Sequence, residues 1–395
     1  MVRELVITLY LSVFRAIFII FKQFPQKKKT TFVASFGENI LYTVHELEKQ
    51  TNDQVVILKT SQCKTDFGSE HLTLNFETSS LTDWIRSVYH LATSEKVFID
   101  NYFGFLAAAP FKSNVACIQL WHAAGAIKQF GSKDPAIVGR SKRAHERFNE
   151  VYQQFDHVVV GSDQMASIFR DSFNLPEDRM LRTGVPRTDF FFDETARKKA
   201  EQTLAENYPV INEKKVILYA PTYRDNQLNS ADLALEMDKM YQKLKDKYVL
   251  FLRLHPAVNA DFQNKYPGFV INVSSYPYLN HLLTVTDLLI TDYSSIPFEF
   301  ALLNKPMVFF AYDLDRYTMD KGFWTSYEDL VPGPVAETTR DLVSIIETES
   351  FDMSRVRRFA HEWNKYSQGK SSERLIKAIY TEDEQTEFNK EFVNS

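Results

Sequence analysis

The sequence predicts an α/β protein of two Rossmann-like domains facing a cleft, with a membrane-associating helix at the N-terminus. Three observations carry this expectation. Short apolar, β-rich runs alternate with helical spacing along most of the chain, the pattern of parallel βαβ units. The alternation occurs twice, on either side of a polar, charged stretch at 195–213. The 395 residues are too many for one ordinary domain and comfortable for two.

The first element is the apolar run at 5–24, LVITLYLSVFRAIFIIFKQF. Leu5, Leu9, Val13, Ile17 and Ile20 make one helical stripe, and the other faces are also largely apolar. Arg15 interrupts the run, and Lys22, Lys27, Lys28 and Lys29 follow it. A clean membrane span needs about 20 apolar residues, and a central Arg costs several kcal/mol there. No small-residue cleavage site follows, which weighs against a signal peptide. Residues 1–29 are therefore expected to lie in or dip into the cytoplasmic leaflet, with the lysines on anionic headgroups. A single span and a soluble docking helix are the alternatives.

In the first domain, 30–194, the expected strands are 30–36, 54–60, 96–102, 115–122 and 157–162, with helical spacing around 44–47 and 84–93. The second domain, 214–380, offers 214–222, 248–256, 269–274, 287–295 and 306–312. Residues 195–213 read as the linker, and 381–395 as an acidic, frayed tail.

A net charge of −5 argues against nucleic-acid binding by bulk electrostatics, so an anionic ligand needs a local site. Cys63 and Cys117 have no metal-ligand or disulfide spacing and read as buried thiols. The sequence has no GxGxxG, Walker loop, GxSxG or HExxH.

Polar residues cluster just after the apolar runs, where open α/β sheets bind ligands. His122 ends one run and is followed by the small residues Ala123, Ala124 and Gly125; a His there can take a proton from an attacking hydroxyl. Arg253 and His255 fall on one face of an expected strand and suit a phosphate. Asp292 ends another run, and Ser294 and Ser295 fall where a helix would begin, so free amides and hydroxyls could hold phosphate. Glu299, one turn further, suits a ribose or base. Thr222 and Arg224 share a strand tip, Arg187 lies in Gly184–Asp189, and both arginines read more readily as surface residues. Asp100 and Asn101 sit at another tip and could touch an acceptor. The remaining histidines lack such context and read as structural or exposed.

Taken in order, WHAAGAIKQFG, GVPRTD, YAPTYRD, RLHP and TDYSSIPFEFALLNKPMVFF resemble the CDP-glycerol glycerophosphotransferase family of teichoic-acid synthesis, over roughly 100–364. The resemblance is greatest to the primase members. It implies a GT-B-like fold at the cytoplasmic face of the membrane, with no cofactor and no metal. The implied donor is CDP-glycerol, and the implied acceptor is an undecaprenyl-diphosphate-linked disaccharide. Other teichoic-acid enzymes are conceivable partners. By the resemblance, His122 is the general base with Lys128 supporting it. His255 binds the donor diphosphate, Ser294 and Ser295 bind donor phosphate, and Glu299 binds the ribose or cytosine side. The compact length and the Ala-Ala-Gly-Ala segment after His122 favour a primase over a polymerase. A CDP-ribitol enzyme, a UDP-sugar glycosyltransferase and a catalytically inert scaffold are the competing readings.

Overall fold

The computed structural model describes residues 2–222, 224, 233–254 and 264–380. His255 and the tail at 381–395 lie outside the described residues.

The first sheet has seven parallel strands: β1 (Lys29–Ala34), β2 (Gln54–Lys59), β3 (Leu72–Asn75), β4 (Lys96–Ile99), β5 (Ala116–Gln119), β6 (His157–Val159) and β7 (Met180–Leu181), in the order β3-β2-β1-β4-β5-β6-β7. The second has six: β8 (Lys215–Ala220), β9 (Tyr248–Leu252), β10 (Val270–Asn272), β11 (Leu288–Thr291), β12 (Met307–Phe310) and β13 (Val335–Ala336), in the order β10-β9-β8-β11-β12-β13. Each order reverses once, between β1 and β4 and between β8 and β11, and these switch points are where doubly wound sheets place ligands. The structure thus has the expected pair of α/β domains in a GT-B-like arrangement.

Every expected strand is present but ends one to four residues earlier than read, because the polar tips are loops, which carry the candidate site residues. In particular β9 stops at Leu252, so Arg253 lies beyond the strand rather than on its face. The short edge strands β3, β7 and β13 are additional. Central strands are buried on both faces, as parallel sheets require. Phe32, Ile57, Phe98 and Ile118 pack on one side of the first sheet, and Val33, Val56, Val97 and Ile99 on the other.

Two expectations about the chain's ends change. The N-terminal helix, Val2–Lys22, docks on the first domain. Phe14 and Phe18 are fully buried; Phe14 meets Trp84 and Phe105, and Phe18 meets Phe111. Its opposite face keeps Leu5, Val6, Leu9, Val13 and Ile20 exposed, with Leu5 at 69%. The helix therefore has one face for the protein and one apolar face left to its surroundings. Lys29 does not belong to a surface lysine cluster: it opens β1, is fully buried, and donates to Thr93 Oγ1 at 2.7 Å.

The last described helix, Ser371–Tyr380, does not belong to the second domain as the boundary at 380 implied. Its Leu375, Ile376 and Ile379 pack with Phe32 and Ile40 of the first domain. Asp189 accepts the amides of Ser371 and Ser372 at 2.7 and 2.8 Å, which caps this helix. The chain therefore crosses back and ties the domains together a second time.

Candidate active site

At the carboxyl end of each sheet, the switch point is organised by one aspartate. On the first sheet, Asp100 follows β4 and its carboxylate accepts the amides of Ser35, Phe36 and Gly37, just past β1, at 2.8, 2.9 and 2.7 Å. It is 1% exposed, so it organises the tip and does not present a free carboxylate to an acceptor. Burial pushes its carboxyl up to about 6 against the pull of these three amides.

His122 sits beside this tip. Its Nδ1 lies 3.1 Å from the Asp100 carbonyl oxygen. A carbonyl only accepts, so Nδ1 carries the proton and the Nε2 lone pair is left to act as a base. Phe36 stacks on the imidazole at 4.1 Å and 13°, and Trp121 stacks at 4.4 Å and 27°. Two near-parallel rings at these separations cannot share one face, so the imidazole lies between them. Trp121 holds a left-handed φ of 57°, an uncommon conformation for a bulky residue, with its amide bound to Gln119 Oε1 at 2.8 Å. Desolvation, with the charges of Arg187 and Lys128, pushes the His122 imidazole down to about 4, despite the opposing bond to the Asp100 carbonyl. The ring is thus neutral across the physiological range.

The small residues after His122 pack against protein. Ala123, Ala124, Ala126 and Ile127 are buried. A Cβ on Gly125 would fall 2.5 Å from the Phe298 ring of the second domain, so the glycine permits close interdomain packing. Beyond it, Lys128 forms an isolated antiparallel bridge with Phe323, and Gln129 N donates to Gly322 O at 3.1 Å. Lys128 is thereby brought to the second domain. Its ammonium is held below the ordinary lysine range by burial, while the charge of Asp292 opposes that shift.

On the second sheet, Asp292 accepts the amide of Thr222, past β8, at 2.7 Å and pairs with Arg224 at 3.0 Å. Arg224 makes two further bonds of 3.0 Å to Asp313 and lies over the rings of Tyr293, Tyr312 and Tyr317. Its guanidinium is committed, not a surface charge as the sequence suggested, because two carboxylates distant in sequence converge on it. Ser294 Oγ bonds Thr291 Oγ1 at 2.8 Å, and Ser295 precedes the short helix Ile296–Phe300 with no side-chain cap. Both serines are half-buried. Arg253 gives one N–H to Tyr276 O at 2.8 Å; burial lowers its guanidinium, and Glu38 across the cleft opposes this.

Arg187 is the second misplaced arginine. It is 7% exposed and bridges Glu38 of the first domain, at 2.8 Å, to Glu299 of the second, also at 2.8 Å. Glu299 is fully buried in this pair, so its carboxylate closes the domain interface rather than facing the cleft. Glu38, Phe36 and Phe298 were not singled out from the sequence; the run Phe36-Gly37-Glu38 directly after a strand was the available signal.

Paired parallel sheets, each with an aspartate-organised switch point, define a GT-B-like two-domain architecture. Residues 16–381 match the family described as CDP-Glycerol:Poly(glycerophosphate) glycerophosphotransferase. The chain belongs to that family and is a glycerophosphotransferase of teichoic acid biosynthesis. It is 36% identical over 383 residues to the teichoic acid glycerol-phosphate primase of Bacillus subtilis (strain 168), covering 96% of this chain and 98% of that protein. It is 39% identical over 305 residues to the teichoic acid poly(ribitol-phosphate) polymerase of Bacillus spizizenii, covering 76% of this chain and 49% of that protein. Among solved structures, the wall teichoic acid polymerase TagF matches with a TM-score of 0.80 at 22% identity, over 98% of this chain and 99% of that one.

Proposed function

We propose that the protein transfers one glycerol phosphate from CDP-glycerol to an undecaprenyl-diphosphate-linked N-acetylmannosaminyl-N-acetylglucosamine, the priming step of a wall teichoic acid. The observation that carries the chemistry is His122, neutral and with its proton fixed on Nδ1 by the Asp100 carbonyl. The acceptor hydroxyl attacks the glycerol-bearing phosphorus and gives its proton to Nε2. The phosphoanhydride bond breaks at the same centre, and CMP leaves with that electron pair. Arg253, Lys128, the Thr222 tip, Ser294 and Ser295 supply the phosphate side, and His255 belongs to it by its sequence position. Catalysis rests on positioning and charge stabilisation, as in other phosphoryl transfers.

The choice of a glycerol-phosphate donor and a primase role is supported by the primase relative that aligns along nearly its whole length. A TagF structure is also described with CDPG. The polymerase reading stands second, favoured by the 39% identity to a ribitol-phosphate polymerase. Incubating the purified enzyme with excess CDP-glycerol and the unprimed lipid disaccharide decides between them. A single-unit mass increase supports priming, and a ladder overturns it.

The exposed face of the N-terminal helix supports attachment to the cytoplasmic surface of the membrane, with Lys27 and Lys28 at the headgroups. The protein-facing half of that helix stays docked, which suits an in-plane rather than a spanning orientation.

A further inference from the structure

Lys128 belongs to the first domain by sequence, but its backbone is fastened to the second. Trp324 Nε1 donates to the Lys128 carbonyl at 2.9 Å, and Lys128 pairs with Phe323 as an antiparallel bridge. Gln129 gives its amide to Gly322 O at 3.1 Å and its side-chain N–H to Phe323 O at 3.2 Å. Gly322 makes the opposing turn at φ 69°, a left-handed conformation that favours glycine, directly after the helix Leu314–Lys321. The Lys128 side chain therefore leaves from a main chain clamped between the domains. Its ammonium lies over the Tyr317 ring, 5.9 Å from the centroid, and among the described residues it has no hydrogen-bond or ion-pair partner. The carboxylates of the neighbouring tip are taken. Asp292 accepts the amides of Thr222 and Tyr293, and Asp292 and Asp313 together hold Arg224. A half-buried ammonium with unfilled N–H groups is costly until an anion completes it.

The charge of Lys128 bears on His122 at the first switch point, and the charge of Asp292 at the second bears on Lys128. The phosphorus in transfer has to lie in the same interval. On one side it meets the hydroxyl oxygen that gives its proton to His122, and on the other it is still joined to CMP. We propose that Lys128 is a catalytic residue whose ammonium donates hydrogen bonds to the non-bridging oxygens of the transferred phosphoryl group, more strongly in the transition state than in the bound donor. The assignment rests on the proposed glycerol-phosphate transfer with His122 as base, and it narrows the phosphate-side role of Lys128 to one phosphate and one step. As the bond from the acceptor oxygen to phosphorus forms, the bond from phosphorus to CMP breaks and its electron pair leaves with CMP. The acceptor proton goes to His122 Nε2, and Lys128 keeps its protons throughout. A cation already fixed by backbone contacts needs no reorganisation at that moment.

The test uses the full-length enzyme, CDP-glycerol and a short-chain lipid-diphosphate disaccharide, with Lys128→Met and Lys128→Ala compared with wild type. Lys128→Met keeps the apolar stem on Tyr317 and removes only the charge, so its melting curve should match that of wild type. Both variants should lower kcat by about 10²–10³-fold, the loss typical of one transition-state donor. The CDP-glycerol Kd, measured calorimetrically, should stay within about threefold, because the contact strengthens only as the transition state forms. Ethylammonium should restore kcat of Lys128→Ala by about tenfold, while tetramethylammonium, which has no N–H, should not. A Lys128→Met enzyme with near-normal kcat overturns the proposal. So does a variant whose Kd weakens as much as its kcat falls, since Lys128 would then bind the donor without favouring the transition state. A loss that ethylammonium leaves unchanged also overturns it and assigns the residue to the interdomain clamp. The underlying reading fails separately. A wild-type enzyme that moves no glycerol phosphate to the disaccharide removes the proposed transfer, whereas normal transfer by both wild type and Lys128→Met removes only the lysine.

Discussion

The two switch points share one device and differ in chemistry. In each, an aspartate after the strand next to the reversal accepts amides from the neighbouring tip: Asp100 from Ser35–Gly37, and Asp292 from Thr222. Around Asp100 the neighbours are a neutral imidazole and two aromatic rings. Around Asp292 they are Arg224, Asp313 and the approaching Lys128. The same backbone scaffold thus sets a desolvated imidazole on one side and a cluster of charged side chains on the other, which under the proposed function take the hydroxyl and the diphosphate. What differs is only which side chains the flanking loops bring in.

The largest expected effect comes from removing the proposed base. His122→Ala should lower turnover by about 10²–10⁴-fold with the fold intact. Near-normal kcat would dissolve the distinction between the two sides. Next is the bridge between them. Arg187→Ala leaves Glu299 buried without a partner and should cost about 3–5 kcal/mol in urea unfolding. A loss below about 1 kcal/mol would mean the pair contributes little to closure.

The pH dependence sharpens the dry character of the first side. His122 titrates near 4 in the folded protein, below the 6.5 of an unperturbed imidazole. The acid limb of kcat/KM should therefore lie near pH 4, and a limb near 6.5 would show a hydrated ring. The stability sign follows from the same shift. Between pH 6.5 and 4 the unfolded chain binds the proton and the folded one does not, so this group's contribution is complete above 6.5 and falls as pH drops toward 4. His90, half-buried and also pushed down to about 4, acts in the same direction, while Asp100, raised to about 6, opposes them. The smallest effect on the fold is expected at the N-terminal helix. Leu5→Asp with Leu9→Asp, on the exposed face, should change stability by about 0.5 kcal/mol or less yet abolish sedimentation with anionic vesicles. Undiminished co-sedimentation would place the anchor elsewhere.

The fold was legible where both faces of a strand are buried, because such strands read as unbroken apolar runs. β3, β7 and β13 escaped because they are short edges; β3, Leu72–Asn75, buries only Leu74. The candidate site was legible where a polar residue abruptly ends an apolar run, as at His122 and Asp292. It was illegible where meaning comes from distant partners. Arg187 stands 149 residues from Glu38 and 112 from Glu299, and no local pattern distinguishes it from a surface arginine. Arg224 is hidden in the same way, its partner Asp313 lying 89 residues on. Phe36 was read as the last residue of a strand because its apolar side chain continues the run, although the strand stops at Ala34.

The division of labour across the cleft is tested most directly by titrating CDP-glycerol calorimetrically into wild-type enzyme, His122→Ala and Arg253→Ala. The expected result is a donor Kd within about twofold of wild type for His122→Ala and about tenfold weaker for Arg253→Ala, one lost charged contact. Donor binding that collapses in His122→Ala while surviving in Arg253→Ala would contradict the account, because the base would then sit on the phosphate side of the cleft.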